Sequence, residues 1–171
     1  YLYANGFIGT KPPQFRDIFL SPRNRNTVVP GVDPYSVQSV EGGFMHRAPT
    51  LRARVTGYLT DFKNEVESNL FFAQLIGEFG TLVRTGVDRR HTGLEAAFEW
   101  KPLPSWVLYG AANSGYYRYT SRPLLYQSTD NTGVVGLDSV TVYQQNFLVP
   151  RTPQTAASLG IKHEGKRFWF A

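Results

Sequence analysis

The sequence predicts an all-β chain, an antiparallel transmembrane β-barrel of which it supplies about seven strands. Three observations carry that expectation. Three short turns, Ala48-Pro49-Thr50, residues 101–105 and Glu164-Gly165-Lys166, alternate with three long polar connections at roughly 9–34, 63–85 and 120–152. Tight turns at one end and long loops at the other are the arrangement of a bacterial outer-membrane barrel, and a soluble sandwich has no reason to gather its long loops at one end. The segments between these connections alternate apolar and polar side chains with a period of two, which gives each strand one apolar and one polar face. Aromatic residues cluster at the strand ends, where a ring that joins an apolar body to a polar handle suits the headgroup region.

Taken in order, residues 1–8 read as a first strand and residues 35–47 as a second, in which Val40, Gly42 and Phe44 oppose Ser39, Glu41, Gly43 and Met45. The clearest strand is 51–62, with Leu51, Ala53, Val55, Gly57 and Leu59 against Arg52, Arg54, Thr56, Tyr58 and Thr60. About ten residues of such alternation cross a bilayer when tilted. Residues 86–100 repeat the pattern, Leu94, Ala96, Phe98 and Trp100 opposing Gly93, Glu95, Ala97 and Glu99. In 106–119 small residues dilute both faces. In 153–163, Ala157, Leu159 and Ile161 oppose Ala156, Ser158, Gly160 and Lys162, and a last strand begins at 167. The expected lipid-facing set is therefore Leu51, Val55, Leu59, Leu94, Phe98, Leu159 and Ile161. The expected lumen- or plug-facing set is Arg52, Arg54, Glu95, Glu99 and Lys162. Trp100, Trp106 and Trp169 would form the periplasmic aromatic belt, with Tyr58, Phe62, Tyr116, Tyr117 and Tyr119 near the opposite ends. Seven strands with broken ends cannot close, and an open sheet would leave backbone groups unsatisfied in lipid. The strands are expected to be one arc of a wider barrel, with residues 1–171 all belonging to it.

Composition agrees. The 171 residues include 12 Phe, 10 Tyr, 3 Trp and 16 Gly, and the mean hydropathy is only -0.29. No apolar run is long enough for a transmembrane helix, which leaves a barrel open because its strands dilute their apolar face with polar residues. The absence of cysteine excludes a disulfide framework and thiol chemistry. The net charge of +5 raises the question of nucleic acid, but the basic residues are scattered. Arg23 with Arg25 and Arg89 with Arg90 are the densest spots, so no nucleic-acid partner is expected.

Residues for chemistry are sparse. His46, His91 and His163 are far apart in sequence, and none has a carboxylate or cysteine at ligand spacing, so no metal and no cofactor are expected. Glu95 and Glu99 share a strand face but stand about 13 Å apart, too far for a glycosidase pair. Pairing with Arg52 or Arg54 on a neighbouring strand is the expectation. Phosphate-loop, dinucleotide and nucleophile-elbow motifs are absent, and no enzyme is expected. The connection 120–152 is rich in hydroxyl and amide side chains, and Tyr126, Asp130, Asn131 and Tyr143 are its candidate ligand residues. Such a mixture suits sugars or chelates and equally suits any solvated loop. In 63–85, Leu70, Phe71, Phe72, Leu75 and Ile76 form an apolar cluster expected to pack on neighbouring loops, with cargo or a surface partner as the alternatives.

Several segments carry a family resemblance. GTKPPQFRDIFLSP (9–22) runs from an aromatic strand into a Pro-containing loop with Asp17 and Phe19, and VDPYSVQSVEGGF (32–44) opens a strand with Pro34 and sets Glu41 before Gly42. VTGYLTDFKNEVE (55–67) ends a strand in an aromatic and a charged loop entrance. HTGLEAAFEWKPLPSWVLYGAANSGY (91–116) combines a His-x-Gly-x-Glu start with a Pro-containing turn into a Trp-led strand, and PRTPQTAASLGIKHEGKRFWF (150–170) reads as a late hairpin. In this order the chain resembles the barrel region of TonB-dependent outer-membrane receptors, in the style of those with a carboxypeptidase-like N-terminal extension. The resemblance implies a barrel of about 22 strands with a plugged lumen, a plug domain and an N-terminal segment outside this chain, and uptake of a scarce solute driven from the inner membrane. The expected partners are the outer-membrane lipid and lipopolysaccharide and the energy-transducing TonB complex reached through the N-terminal part; an interaction role, in which the barrel docks a surface lipoprotein or secretion component, is a further alternative. A passive porin or scaffold barrel and a soluble β-sandwich binding module are the alternatives. The cargo stays open among iron chelate, vitamin, oligosaccharide and peptide.

Overall fold

The computed structural model describes residues 1–21, 26–75, 77–129, 135–165 and 168–170. In chain order the elements are β1 (Leu2–Lys11), α1 (Phe15–Ile18), β2 (Tyr35–Arg47), β3 (Leu51–Ala73), β4 (Glu78–Leu103), β5 (Trp106–Tyr119), β6 (Leu124–Thr129), β7 (Val135–Thr141), β8 (Thr155–Glu164) and β9 (Trp169–Phe170). All pairings are antiparallel. The wall runs β1-β2-β3-β4-β5-β8-β9, and β6 and β7 branch from β4. The seven expected wall strands are present. Among the described residues the margins β1 and β9 do not pair with each other, so the described sheet is an arc.

The registers show why the period-two patterns can be read across the whole wall. Leu51, Trp100, Leu108 and Ile161 are cross-strand partners in one row. Two rows on toward the long-loop end come Phe44, Val55, Ala96, Ala112 and Ala157, and another two rows bring Val40, Leu59, Thr92 and Tyr116. Every member of these rows lies on the same face, and large apolar side chains stand out from it uncovered: Leu94 is 61% and Leu159 77% exposed. The opposite face carries Arg52 opposite Glu99, Arg54 opposite Ala97 and Thr56 opposite Glu95. The pairing also settles β5, whose polar face is Tyr109, Ala111, Asn113, Gly115, Tyr117 and Tyr119.

A recurrent device thins the wall. Tyr3 is the direct register partner of Gly43, Tyr58 of Gly93 and Tyr109 of Gly160, all on the polar face. Phe98 opposes Gly110 and Phe71 opposes Gly80 in the same way. In each pair the ring lies where a Cβ on the glycine would be; at Gly93 that carbon would sit 2.6 Å from the Tyr58 Oη and 2.8 Å from the Ser114 carbonyl oxygen. The phenol held there is shared, since Tyr58 and Tyr117 hydroxyls meet at 2.6 Å and the Asn113 amide donates to Tyr117 at 2.7 Å. Gly93→Ala is expected to cost about 1–3 kcal/mol through overpacking, read as a lower melting temperature of the folded barrel. Gly6→Ala, whose added carbon would lie 3.8 Å from the nearest atom, is expected to leave that temperature unchanged.

The connections differ from expectation. Residues 63–85 are not a loop: β3 and β4 continue through them as a long hairpin, because Glu65, Glu67, Arg84 and Arg89 alternate with apolar or small residues as strand residues do. Two irregularities mark the passage, one beside Asn64 (φ 60°) and one beside Gly86 (φ 70°). Each inserts an extra residue into one strand. The apolar cluster at the hairpin tip is largely exposed, with the half-buried Phe71 ring laid over Gly80. Leu70, Phe72 and Leu75 are exposed, and Phe72 meets Phe79 edge-on at 5.0 Å. The connection 120–152 likewise contains the hairpin β6–β7, which pairs with β4 over Gly80 to Thr85.

Candidate solute cleft at the long-loop end

The buried core lies at the long-loop end, not along the wall. Leu20 and Val29, from the connection after β1, pack against Val83 and Tyr126, with Val32 and Val66 at the edge. Backbone bonds brace the crossing segment, Leu20 N–H donating to the Thr27 carbonyl and Val29 N–H to the Ile18 carbonyl, and Ser128 Oγ donates to the Leu20 carbonyl. A second cluster joins Val87, Tyr117, Tyr119 and Val149. Residues 147–149 extend the pairing of β5: Val149 N–H donates to the Tyr117 carbonyl and Tyr119 N–H to the Phe147 carbonyl.

Between these clusters opens a polar cleft of about 630 Å³, lined by Gln14, Arg16, Asp17, Glu67, Ser68, Asn69, Arg84, Arg89, Tyr119 and residues 149–152. Arg84 and Arg89 reach the same cleft despite an odd separation because the irregularity at Gly86 adds one residue between them. Their guanidinium groups are held. Arg84 pairs with Glu67 and donates to the Gln144 amide oxygen at 2.8 Å, and Arg89 donates to Glu65 at 2.6 Å. Burial disfavours the Arg89 charge, but the Glu65 hydrogen bond and its negative charge outweigh that and raise its pKa. Burial first, then the Glu67 carboxylate, hold the Tyr119 phenol above its usual range, so it stays a neutral donor. Arg16 and Asp17 lie 3.4 Å apart at the rim, and Arg151 sits at φ 60° on the far side. Such an arrangement offers fixed donors and acceptors and one phenol. It can orient a polar solute.

The predicted residues fall elsewhere or differently. On the polar face of the wall, Arg54 and Glu95 form an ion pair at 3.8 Å, as expected of that pair. Glu99 instead has Lys101 at 3.4 Å, while Arg52 is its register partner across β3–β4, and Lys162 pairs with Glu164. None of these lines the cleft. Tyr126, expected to meet a ligand, is 4% exposed and packs between Leu20 and Val83, so its ring braces the loops. Tyr143 is exposed, with the Arg122 guanidinium 5.4 Å from its ring centre. Asp130, Asn131, Ile76, Arg23 and Arg25 lie outside the described residues. Trp100 and Trp106 are at the short-turn end, the Trp106 ring tilted against His163 at 4.5 Å and edge-on to Phe170 at 5.7 Å; the Trp169 side chain lies outside the described residues. Glu67, Arg84, Arg89, Gln144 and Tyr119 were not legible as a site. The signal was present in the alternation of NEVES and VRTGVDR, which marks strand rather than loop. Among the described residues no cluster of His, Asp and Glu could hold a metal ion.

No curated protein matches the chain. No solved structure matches it either. A family model, TonB dependent receptor-like β-barrel, matches residues 2–170. That family is one of outer-membrane transporters. Its match runs through every wall strand from β1 to β9, and the chain therefore belongs to the TonB-dependent receptor β-barrel family.

Proposed function

We infer that this chain is one arc of a complete TonB-dependent transporter, contributing wall and solute-binding loops, and that the plug lies outside it. The carrying observation is the cleft of ion-paired arginines at the long-loop end, above an apolar band. That band runs along β4 from Trp100 to Thr92, eight residue steps or roughly 27 Å along the strand. Tilted by about 40°, it gives about 20 Å of height, and the aromatic rows at either end bring it near the ~25 Å of an outer-membrane barrel. In this reading the apolar face meets lipid and the cleft opens to the cell exterior. Arg52, Arg54, Glu95, Glu99 and Lys162 face the plug or the pathway. Solute held by Arg84, Arg89 and Tyr119 enters when the TonB complex remodels the plug.

The test is made on the complete receptor in the outer membrane. A panel of iron chelates, vitamins, oligosaccharides and peptides is screened for the compound that raises its melting temperature, and uptake of that compound is measured with and without TonB. Uptake is expected to need TonB. Equal uptake without it would replace the transporter reading with a passive barrel, and recovery of the protein without detergent would replace both with a soluble sandwich. Arg84→Ala leaves Glu67 and Gln144 without their partner, and it is expected to weaken binding of that compound about tenfold or more, as loss of a charged hydrogen bond does. Unchanged binding would remove the cleft from the solute path.

A further inference from the structure

The lining of the cleft carries one positive charge that no acid answers. Four arginines reach it, Arg16, Arg84, Arg89 and Arg151. The first three each face a carboxylate: Asp17 lies 3.4 Å from Arg16, Glu67 pairs with Arg84, and Glu65 pairs with Arg89. Arg151 is exposed, and among the described residues no carboxylate comes within ion-pair distance of it.

The backbone departs from regular pairing to place this side chain. Along β5, Arg118 is bridged by Leu148 and Ser114 pairs with Thr155. Between these points β5 advances four residues and the neighbouring chain seven, so three residues are extra and the chain bulges at 150–153. Bulges of this kind re-aim a side chain. Gln154 clamps the base, its Oε1 accepting from the Tyr117 N–H at 2.7 Å and its Nε2 donating to the Thr152 carbonyl at 3.3 Å. Val149, buried with Tyr117 and Tyr119, anchors the other side. Pro150 and Pro153 bracket the outgrowth; each fixes its own φ and restricts the residue before it. Within it Arg151 stands at φ 60°, a left-handed conformation that is unfavourable for a residue with a Cβ and open to glycine. Residues held this way gather at ligand clamps. Nothing in the fold uses this guanidinium, and a glycine would suit the backbone better, so the side chain serves a molecule from outside the chain.

We propose that Arg151 is the anion-binding residue of the cleft, and that the solute carries a carboxylate or phosphate group which this guanidinium takes. The planar fork of a guanidinium matches the oxygens of either group. Arg84 and Arg89, already neutralised by Glu67 and Glu65, orient the uncharged part of the solute, and Arg151 selects for its charge. The inference rests on the reading that this cleft holds solute.

The complete receptor in detergent is titrated with matched pairs of probes: trigalacturonate and its methyl ester, a glucose phosphate and glucose, and a capped glutamyl tripeptide and its glutaminyl counterpart. Binding is read as the rise in melting temperature and the concentration that gives half of it. The acidic member of at least one pair is expected to bind and its neutral counterpart not. Arg151→Gly is expected to weaken that binding about tenfold or more, as loss of a charged hydrogen bond does, while the ligand-free melting temperature does not fall. Arg151→Lys, which keeps the charge without the fork, is expected to retain part of the affinity. Equal binding of acidic and neutral members, no binding of any acidic member, or unchanged affinity in Arg151→Gly would overturn the proposal. A lower ligand-free melting temperature in Arg151→Gly would also overturn it, since Arg151 would then brace the turn. Neutral probes whose binding is lost in Arg84→Ala defeat this inference alone. Binding indifferent to both Arg84→Ala and Arg151→Gly defeats the cleft reading beneath it.

Discussion

Leu159→Arg is expected to stop the receptor from reaching its heat-resistant folded form in the outer membrane. The side chain stands on the apolar face of β8, opposite Gly110 of β5, and is 77% exposed there. In a soluble protein such a substitution would change little. Facing mid-bilayer lipid, the same arginine costs about 2–4 kcal/mol, and the neighbouring row of Ala112 and Ala157 offers no carboxylate to pair with it. Leu94→Arg, on the apolar face of β4, should behave alike. A Ser158→Arg variant, one residue away and on the opposite face, is the control and is expected to assemble. The measurement is the ratio of heat-modified to unmodified band in outer-membrane fractions. Normal assembly of both leucine variants would invert the facing assigned to the whole wall.

Val83→Asp should leave that ratio intact and loosen the long-loop end. Val83 is fully buried among Leu20, Val29 and Tyr126, so the new carboxylate would be desolvated inside an apolar cluster. The penalty is several kcal/mol, larger than two packed loops can absorb, whereas the wall strands are held by their own ladders. The expected result is an assembled barrel whose residues 12–34 and 142–154 become sensitive to added protease on intact cells. Desolvation would raise the pKa of the introduced acid, so protection should partly return as the pH is lowered and the group becomes neutral. An unaltered cleavage pattern would mean that the cluster does not hold the loops.

The wall was readable in the sequence because one physical rule governs it. Lipid on one side and water or protein on the other impose strict alternation, and Leu51 through Leu59 or Leu94 through Trp100 display it without tertiary knowledge. Where both faces hold small residues, as in Ala111, Ala112 and Asn113, alternation says nothing, and only the hydrogen-bonded register with β4 assigned them. The cleft was hidden for a different reason. Glu67 and Arg84 fall in a stretch whose polar composition resembles that of a solvated loop although it continues β3 and β4, and their convergence with Arg89 depends on an irregularity at Gly86 that shifts Arg84 to its side. Tyr126 misled for the same cause: a tyrosine among Ser, Thr and Asn reads as a solvent-facing ring, and it is Leu20, more than a hundred positions earlier, that buries it.

The rings laid over glycines have a consequence for how neighbouring strands find each other. A slip of one residue turns every side chain to the wrong face and is opposed by burial. A slip of two residues keeps apolar with apolar and polar with polar, so the alternation is blind to it. The aromatic–glycine pairs are not. Shifting β4 by two positions against β3 would bring Tyr58 opposite His91 or Glu95 in place of Gly93, and the same shift of β8 against β5 would set Tyr109 against Ser158 or Lys162 in place of Gly160. Each ring would then meet a side chain where only hydrogen fits. Spaced across β1–β2, β3–β4 and β5–β8, the pairs act as keys in locks, admitting one alignment of a wall whose hydrophobic pattern alone would accept several.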